Sequence, residues 1–215
     1  MSLRLIIGFS FAILALSSCN HLKTDSWPNG SVKSEIQMKG DLYEGPAKFW
    51  YSNGILQMEC NYKNNKLEGK AVRYYQNGFK EEELTYSAGE LNGINKCWDQ
   101  RGNLVKECSY KNGKLNGPYH EWHGDNILSI DGQYKDGNID GQWLYFDIYT
   151  KVIGEGRFIN GTGIQKSFFE NGKTKQITHY ENNLKEGDEM LYNPDGNVNL
   201  ISHYESGKLV NTIKK

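Results

Sequence analysis

One acidic side chain recurs at a fixed interval, and this series is the first arrangement that could do chemistry. Its members stand 24 residues apart: Glu35, Glu59, Glu83, Glu107, Asp131 and Glu155. Paired carboxylates catalyse glycoside hydrolysis when they lie about 5–10 Å apart in a cleft that raises the pKa of one of them. The series therefore either does catalysis in such a cleft, forms an electronegative track for a basic partner, or satisfies backbone donors and lysines in every repeat.

Histidines are the side chains that could bind a metal ion. His120 and His123 in "HEWH" are three residues apart, so in a strand they face opposite sides. His179 and His203 occupy equivalent positions one repeat apart, about 10 Å by strand spacing, whereas metal ligands lie about 2 Å from their ion. The spacing predicts no metal site and no cofactor.

Cysteines after Cys19 are expected to stay reduced. Cys60 and Cys108 are two repeats apart, about 19 Å by strand spacing, and a disulfide needs α-carbons within about 7 Å. Cys97 is expected on the face opposite Cys108. We predict three free, mostly buried thiols that behave as small apolar residues.

The composition excludes other classes of protein. The formal net charge is −1, so there is no basic field for nucleic acid. The chain carries no P-loop, dinucleotide fingerprint or nucleophile–base set. We expect a protein that is not an enzyme.

An internal repeat positions all of these residues. The recurring glycines, taken as position 3 of each unit, are 24 residues apart except for a two-residue deletion after Phe158: Gly45, Gly69, Gly93, Gly117, Gly141, Gly163 and Gly187. Position 8 is always aromatic: Trp50, Tyr74, Trp98, Trp122, Phe146, Phe168 and Tyr192. Position 20 is aromatic too: Tyr62, Tyr86, Tyr110, Tyr134, Phe158, Tyr180 and Tyr204. A period of this length is typical of stacked repeats.

Turn chemistry predicts a β-hairpin in each unit. Stretches such as "SNG", "QNG" and "NPDG" between β-branched and aromatic residues suit a type I turn followed by a left-handed glycine at position 12. With simple alternation beyond that turn, positions 8, 14, 16, 18 and 20 share one face and the acidic series lies on the other. The prediction is an all-β fold, an elongated single-layer antiparallel meander of about 14–15 strands with an aromatic stripe, in which no cleft brings carboxylates together.

The first residues are expected to be a targeting signal. Arg4 precedes an apolar run, Leu5 to Leu16, that is too short to cross a bilayer, which takes roughly 20 residues. The run ends in "LSSC", which resembles the lipobox of bacterial lipoproteins and implies a lipid on Cys19. The predicted organisation is as follows: signal peptide 1–18, lipidated tether 19–25, half repeat 26–42, full repeats 43–66, 67–90, 91–114, 115–138, 139–160, 161–184 and 185–208, and C-terminal stub 209–215.

The repeat resembles the MORN-repeat variant family. The stretches "LEGKAVRYYQNGFKEEELTYSAGE" (67–90) and "LNGINKCWDQRGNLVKECSYKNGK" (91–114) carry the likeness best, and it extends over residues 26–211. Units four and five depart most, so their hairpin tips are expected to be irregular. Some family members are described as antitoxins, and the resemblance brings no set of catalytic residues.

The expected function is a non-catalytic, membrane-anchored scaffold for protein–protein contact at the bacterial cell envelope, in the outer membrane or a periplasm-facing leaflet. The alternatives are an immunity or antitoxin-like inhibitor of a toxin, and glycan or cell-wall binding through the aromatics. The position-8 aromatics and the acidic series are the candidate interaction surface, unless the aromatics form packed core. The expected partners are a membrane, through the lipid, and an unidentified protein.

Overall fold

The computed structural model describes residues 19–215, which form one antiparallel sheet and contain no helix long and apolar enough to cross a bilayer. The predicted signal peptide lies outside the described residues. The twenty strands are β1 (Asn20–Ser26), β2 (Val32–Lys39), β3 (Leu42–Trp50), β4 (Leu56–Lys63), β5 (Lys66–Leu67), β6 (Gly69–Tyr74), β7 (Lys80–Ser87), β8 (Glu90–Leu91), β9 (Gly93–Trp98), β10 (Leu104–Lys111), β11 (Lys114–Trp122), β12 (Leu128–Lys135), β13 (Asn138–Phe146), β14 (Val152–Ile159), β15 (Thr162–Phe168), β16 (Thr174–Glu181), β17 (Leu184–Lys185), β18 (Gly187–Tyr192), β19 (Val198–Glu205) and β20 (Lys208–Lys214).

The sheet is a meander in which each strand pairs with its neighbours in sequence, as predicted. The two-residue strands β5, β8 and β17 each lead into the next strand, so the sheet has 17 arms. The prediction of 14–15 strands was too low by the two outermost arms. Residues 19–25 were expected to be a tether, but Asn20–Ser26 pairs with β2 as the first arm, and Lys208–Lys214 forms the last.

The hairpin tips have the predicted turn. In the first full repeat the Gly54 amide donates to the Tyr51 carbonyl at 2.9 Å, and Gly54 has φ 82°. Thr150 takes the same position in unit five with φ 63°, so that tip keeps the common geometry. Unit four is irregular, because residues 124–126 all have positive φ.

The corners between hairpins explain why the small tripeptides ending in glycine recur. The acidic side chain at position 2 accepts the backbone amide of position 22 in the following loop, as Glu44 does from Asn64 at 2.7 Å and Glu68 from Ala88 at 2.7 Å. The amide of position 23 then donates to the carbonyl of position 1, as in Gly89 to Leu67 at 2.8 Å. Each corner thus satisfies its own donors.

A β-bulge in every hairpin overturns the predicted assignment of faces. Trp98 lies opposite Leu104, but Cys97 lies opposite Lys106, so Val105 at position 15 has no partner. Beyond the bulge, Tyr110 lies opposite Gly93, which is on the same strand as Trp98 and five residues before it. Side chains alternate between the two faces along a strand, so an odd separation puts these two positions on opposite faces. Positions 8 and 20 therefore face opposite sides, and the predicted common aromatic stripe is wrong. Position 14 leaves the predicted face as well, whereas 16, 18 and 20 stay together.

The sheet buries its inner face, defined here as the side that carries positions 5, 7, 16, 18 and 20. All but one of the buried residues other than glycine lie there, the exception being Val72: Ser34, Ile36, Met38, Ala47, Cys60, Ala71, Asn95, Cys108, Trp143, Phe158, Thr178 and Ser202. The rings at position 20 pack over them, as Tyr62 does in the N-terminal cluster. The opposite side, with positions 4, 6, 8, 14, 17 and 19, is the outer face.

Candidate interaction surface

The acidic series lies on the outer face, and three of its six members pair with basic side chains at positions 4, 6 and 14. Glu83 contacts Lys70 at 2.8 Å and Lys80 at 3.0 Å. Burial alone would raise the pKa of Glu83, but the hydrogen bonds from both lysines bring that pKa below its usual value. Two further pairs repeat the pattern: Glu107 with Lys96 at 2.8 Å, and Asp131 with His120 at 3.2 Å.

The position-8 aromatics share the outer face with the acidic series, contrary to the prediction. The Tyr74 hydroxyl donates to Glu59 at 2.7 Å, and the Lys80 ammonium lies 5.3 Å from the centre of the Trp98 ring. Burial, followed by the bond to Glu59, raises the pKa of Tyr74 to about 12. All seven position-8 rings are partly buried. They form an ordered, half-covered row along the outer face.

Position 9 supplies contacts that the sequence interpretation missed. The Tyr51 hydroxyl donates to the Tyr74 carbonyl at 2.9 Å, and the Tyr75 hydroxyl donates to the Trp98 carbonyl at 2.7 Å, one repeat further in each case. Where position 9 is Asp99, its carboxylate instead accepts amides within its own turn. The residue type at position 9, tyrosine in the first two repeats and aspartate in the third and fifth, is the sequence signal for these two arrangements.

The histidines and cysteines lie in separate places. His123 contacts the Phe146 carbonyl at 2.9 Å, and Asp188 lies between His179 and His203. Within residues 19–215, no group of three or more potential ligands is arranged to hold a metal ion.

The three cysteines within the repeats are unpaired, as predicted, with Cys60 and Cys108 buried and Cys97 partly buried. Burial raises the pKa of Cys60 to about 11. Cys97, at position 7, shares the inner face with Cys108, so its predicted side was wrong.

One row of the outer face becomes apolar towards the C-terminus. From β2 to β15, the outer-face row formed by positions 6 and 17 is mostly charged, but in the last four arms it consists of Ile177, Met190, Ile201 and Ile213. On the inner face, Thr178 donates to Glu189 at 2.9 Å, and Lys185 pairs with Glu189. The inner face of these repeats is therefore more polar than that of the earlier ones, although Leu191 and Leu200 still face each other on it.

A groove of about 790 Å³ opens on the outer face just before this change. The side chains that line it come from three neighbouring strands: Gln142 of β13, Glu155 and Arg157 of β14, and Ile164 and Lys166 of β15. Arg157 lies directly opposite both Gln142 and Ile164, and Glu155 lies opposite Lys166. A cavity of this size lies within the range of ligand sites, roughly 300–1,000 Å³.

The two-residue deletion gives these strands a different register. Asn160 and Gly161, with φ 50° and 83°, form the same two-residue turn as Asn112 and Gly113 at an earlier corner, but β14 and β15 pair without the register shift that interrupts β10 and β11. Gly141 and Gly163 line the groove. An added β-carbon at Gly163 would lie 2.0 Å from the Arg157 carbonyl oxygen, so this position accepts no larger residue, whereas at Gly141, where φ is 71°, it would meet the movable end of the Gln133 side chain at 2.2 Å.

Exposed apolar side chains lie at both ends of β14, at the β13–β14 hairpin tip and beside the groove, where Ile159 and Ile164 are part of the lining. Of the fifteen exposed large apolar residues in the described part of the chain, six lie within residues 148–164: Ile148, Tyr149, Val152, Ile153, Ile159 and Ile164. Ile159 and Tyr149 are each 81% exposed. Contiguous exposed apolar surface marks interaction sites. The deletion itself was the available signal for this region, but the sequence interpretation did not use it.

Comparison with known proteins supports the repeat assignment. Residues 43–64, 91–112 and 162–182 match the family model described as MORN repeat variant. No curated protein sequence matches the chain. A solved structure entitled "Crystal Structure of TcdB2-TccC3-TEV" aligns over 88% of this chain and 12% of that chain, with 11% identity and a TM-score of 0.22, which is too low to carry an argument. MORN repeats suggest a role in protein or membrane interaction. The chain therefore contains MORN-variant repeats, with three units matched directly and the others in the same register.

Proposed function

We propose that this protein is a non-catalytic repeat scaffold that binds a protein partner through the outer face around β13, β14 and β15. The observation that carries the proposal is the set of six exposed apolar residues within 148–164, two of which, Ile159 and Ile164, line the groove of about 790 Å³. Elsewhere the inner positions are packed, and Glu59, Glu83, Glu107 and Asp131 each contact a tyrosine, lysine or histidine side chain. This region departs from the pattern and leaves apolar surface uncovered.

The proposal includes an anchor at the N-terminal end. The lipobox-like "LSSC" supports lipidation of Cys19, and this residue is exposed next to β1. An acyl chain contributes about 0.8 kcal/mol per buried methylene, so the lipid would hold the array at a membrane of the cell envelope. Mass spectrometry of the cellular protein tests this: the expected result is a lipid on Cys19 that Cys19→Ser abolishes.

Photo-crosslinking in intact cells tests the binding surface. A photoreactive amino acid at Ile153, at position 15 of the fifth repeat, is expected to give a covalent adduct with one partner. The matched control is Gln57, which occupies position 15 of the first full repeat. Equal adducts at both positions, or none at Ile153, would contradict the proposed surface. An adduct with a toxin would identify the partner as one that an immunity protein inhibits.

Glycan binding is a second candidate, and the outer position of the position-8 rings favours it. Trp98 and Trp122 are partly buried side chains on the open face, where rings can stack on sugars. A glycan array is expected to show binding that Trp98→Ala and Trp122→Ala each weaken. An array without binding would exclude this candidate while leaving the protein partner unaffected.

A further inference from the structure

We propose that the groove between β13, β14 and β15 binds a short peptide segment in which one acidic residue is flanked by aliphatic residues. Arg157 and Lys166 would hold the carboxylate, and Ile159 and Ile164 would contact the aliphatic side chains. The inference rests on the proposed function and specifies the chemistry of the partner segment.

The charges in the groove are available to a ligand. In the third repeat, Lys96 at position 6 forms an ion pair with Glu107 at 2.8 Å. Lys166 occupies the same position opposite Glu155, yet neither these two residues nor Arg157 makes an ion pair within 4.0 Å. The planar guanidinium of arginine matches a carboxylate with two parallel hydrogen bonds, which makes Arg157 the principal contact.

Apolar side chains flank the cations. Ile164 lies directly opposite Arg157 and is 43% exposed, and Ile159, two residues beyond Arg157, is 81% exposed. Covering apolar surface contributes about 25 cal/mol per Å². An aliphatic residue on each side of the acidic one would therefore add affinity that a free carboxylate lacks.

Glu155 limits the ligand to a single acidic residue. It lines the same groove, so the three charged side chains give a local charge of +1. A second carboxylate on the ligand would meet Glu155, and like charges at close range repel. A backbone amide or another hydrogen-bond donor of the ligand would suit the part of the groove next to Glu155. Peptides with runs of acidic residues are therefore expected to bind more weakly than a peptide with a single acidic residue.

Peptide titration tests the proposal on the full-length protein. The probe is the acetylated and amidated pentapeptide ALELA with a fluorescent label, compared with ALQLA, ALKLA and a pentamer of glutamate. ALELA is expected to bind tightest, and its affinity should fall with added salt because exposed charges are screened. Arg157→Gln and Lys166→Gln should each weaken ALELA by about tenfold or more, which corresponds to the loss of a charge-assisted hydrogen bond.

Lys48→Gln is the matched control. Lys48 also stands at position 6 opposite a carboxylate, Glu59, but it lies outside the groove. Its affinity for ALELA should equal that of the unchanged protein, and urea midpoints of all three variants should show that each remains folded. Equal binding of ALQLA or ALKLA, no binding of ALELA, or insensitivity to Arg157→Gln would overturn the proposal. A partner crosslinked at Ile153 despite any of these results would leave the binding function standing and remove only the acidic segment.

Discussion

At the scale of single residues, side-chain sizes at positions 5 and 18 of the inner face compensate for each other: a large residue at position 5 packs against small residues at position 18. In the first two repeats position 5 is a fully packed alanine, Ala47 or Ala71. In the fifth repeat it is Trp143, and Gly132 and Gly156 occupy position 18 on the neighbouring strands. A β-carbon on Gly132 would lie 2.4 Å from the ring of Trp143. The absence of a side chain at Gly132 therefore leaves the space that the Trp143 ring occupies.

Replacing this glycine should destabilise the protein. Gly132→Ala forces the Trp143 ring to move, and overpacking of this kind typically costs about 1–3 kcal/mol. Urea unfolding measures the change. Combining Gly132→Ala with Trp143→Ala removes the clash, so the second change should cost less in that background than alone. A fully additive double variant would contradict the proposed fit.

Buried thiol and phenol groups predict a loss of stability in alkali. Burial raises the pKa of Cys60 from 9.0 to about 11 and that of Tyr62 from 10.0 to about 12. A raised pKa gives stability that is complete below the unfolded value and is lost as the pH rises through the folded value, so the free energy of unfolding should fall between about pH 9 and 12. Urea midpoints at several pH values measure this. Cys60→Ser removes one titrating group and should reduce the slope between pH 9 and 11; an unchanged slope would contradict the assignment.

At the scale of elements, the hydroxyl at position 9 joins neighbouring hairpins at their tips. Tyr75→Phe deletes the 2.7 Å bond to the Trp98 carbonyl and leaves that buried acceptor without the donor. The free energy of unfolding should fall by about 0.5–1.5 kcal/mol, measured in urea. Tyr149→Phe is the control, because that ring is 81% exposed and its loss should change stability by less than about 0.5 kcal/mol. Equal effects in the two variants would argue against the inter-hairpin bond.

The elements show which parts of the fold can be derived from sequence. Glycine at position 12 predicts the tip correctly because positive φ is a local requirement that the residue type reveals. The bulge at position 15 leaves no such trace, since its residues share no type: Gln57, Glu81, Val105, Ser129 and Ile153 are among them. One unrecognised residue per hairpin reverses the face of everything on one side of it. That is why the alternation was interpreted correctly for positions 16, 18 and 20 and wrongly for position 8.

The groove could not be derived in the same way. The deletion after Phe158 is visible in the sequence, but its consequence depends on how the β14–β15 turn brings Arg157, Ile164 and Lys166 together across two strands. Lys166 keeps the position-6 lysine of Lys48 and Lys96, but the same position in the other repeats does not indicate a groove. The functional roles of the position-8 rings and of the acidic series remain predictions.

At the scale of the molecule, 17 arms about 4.8 Å apart give an array up to about 77 Å long. Small-angle scattering should therefore report a radius of gyration near 22–24 Å for residues 19–215, against about 16–17 Å for a compact domain of that size. The larger value follows because each repeat contacts only its neighbours. A compact value would mean that the sheet closes on itself and covers one of its faces.

The chemistry of the array also changes from one end to the other. The outer-face row formed by positions 6 and 17 is mostly charged as far as Lys166 and then consists of Ile177, Met190 and Ile201. On the inner face, polar side chains such as Thr178 and Glu189 are joined by a hydrogen bond. The groove lies at this boundary. The two ends of the molecule therefore present different chemistry, with the proposed lipid at the N-terminal end and uncovered apolar surface at the other.

The assignment of faces underlies every one of these statements, and a pair of engineered disulfides tests it most directly. With the bulge, Lys166 lies opposite Ile177, so Lys166→Cys with Ile177→Cys should crosslink under mild oxidation, because facing β-carbons allow a disulfide. Without the bulge, Lys166 would lie opposite Gln176. The predicted result by peptide mass spectrometry is a disulfide in the 166–177 pair and none in a Lys166→Cys, Gln176→Cys variant; the reverse result would contradict the account.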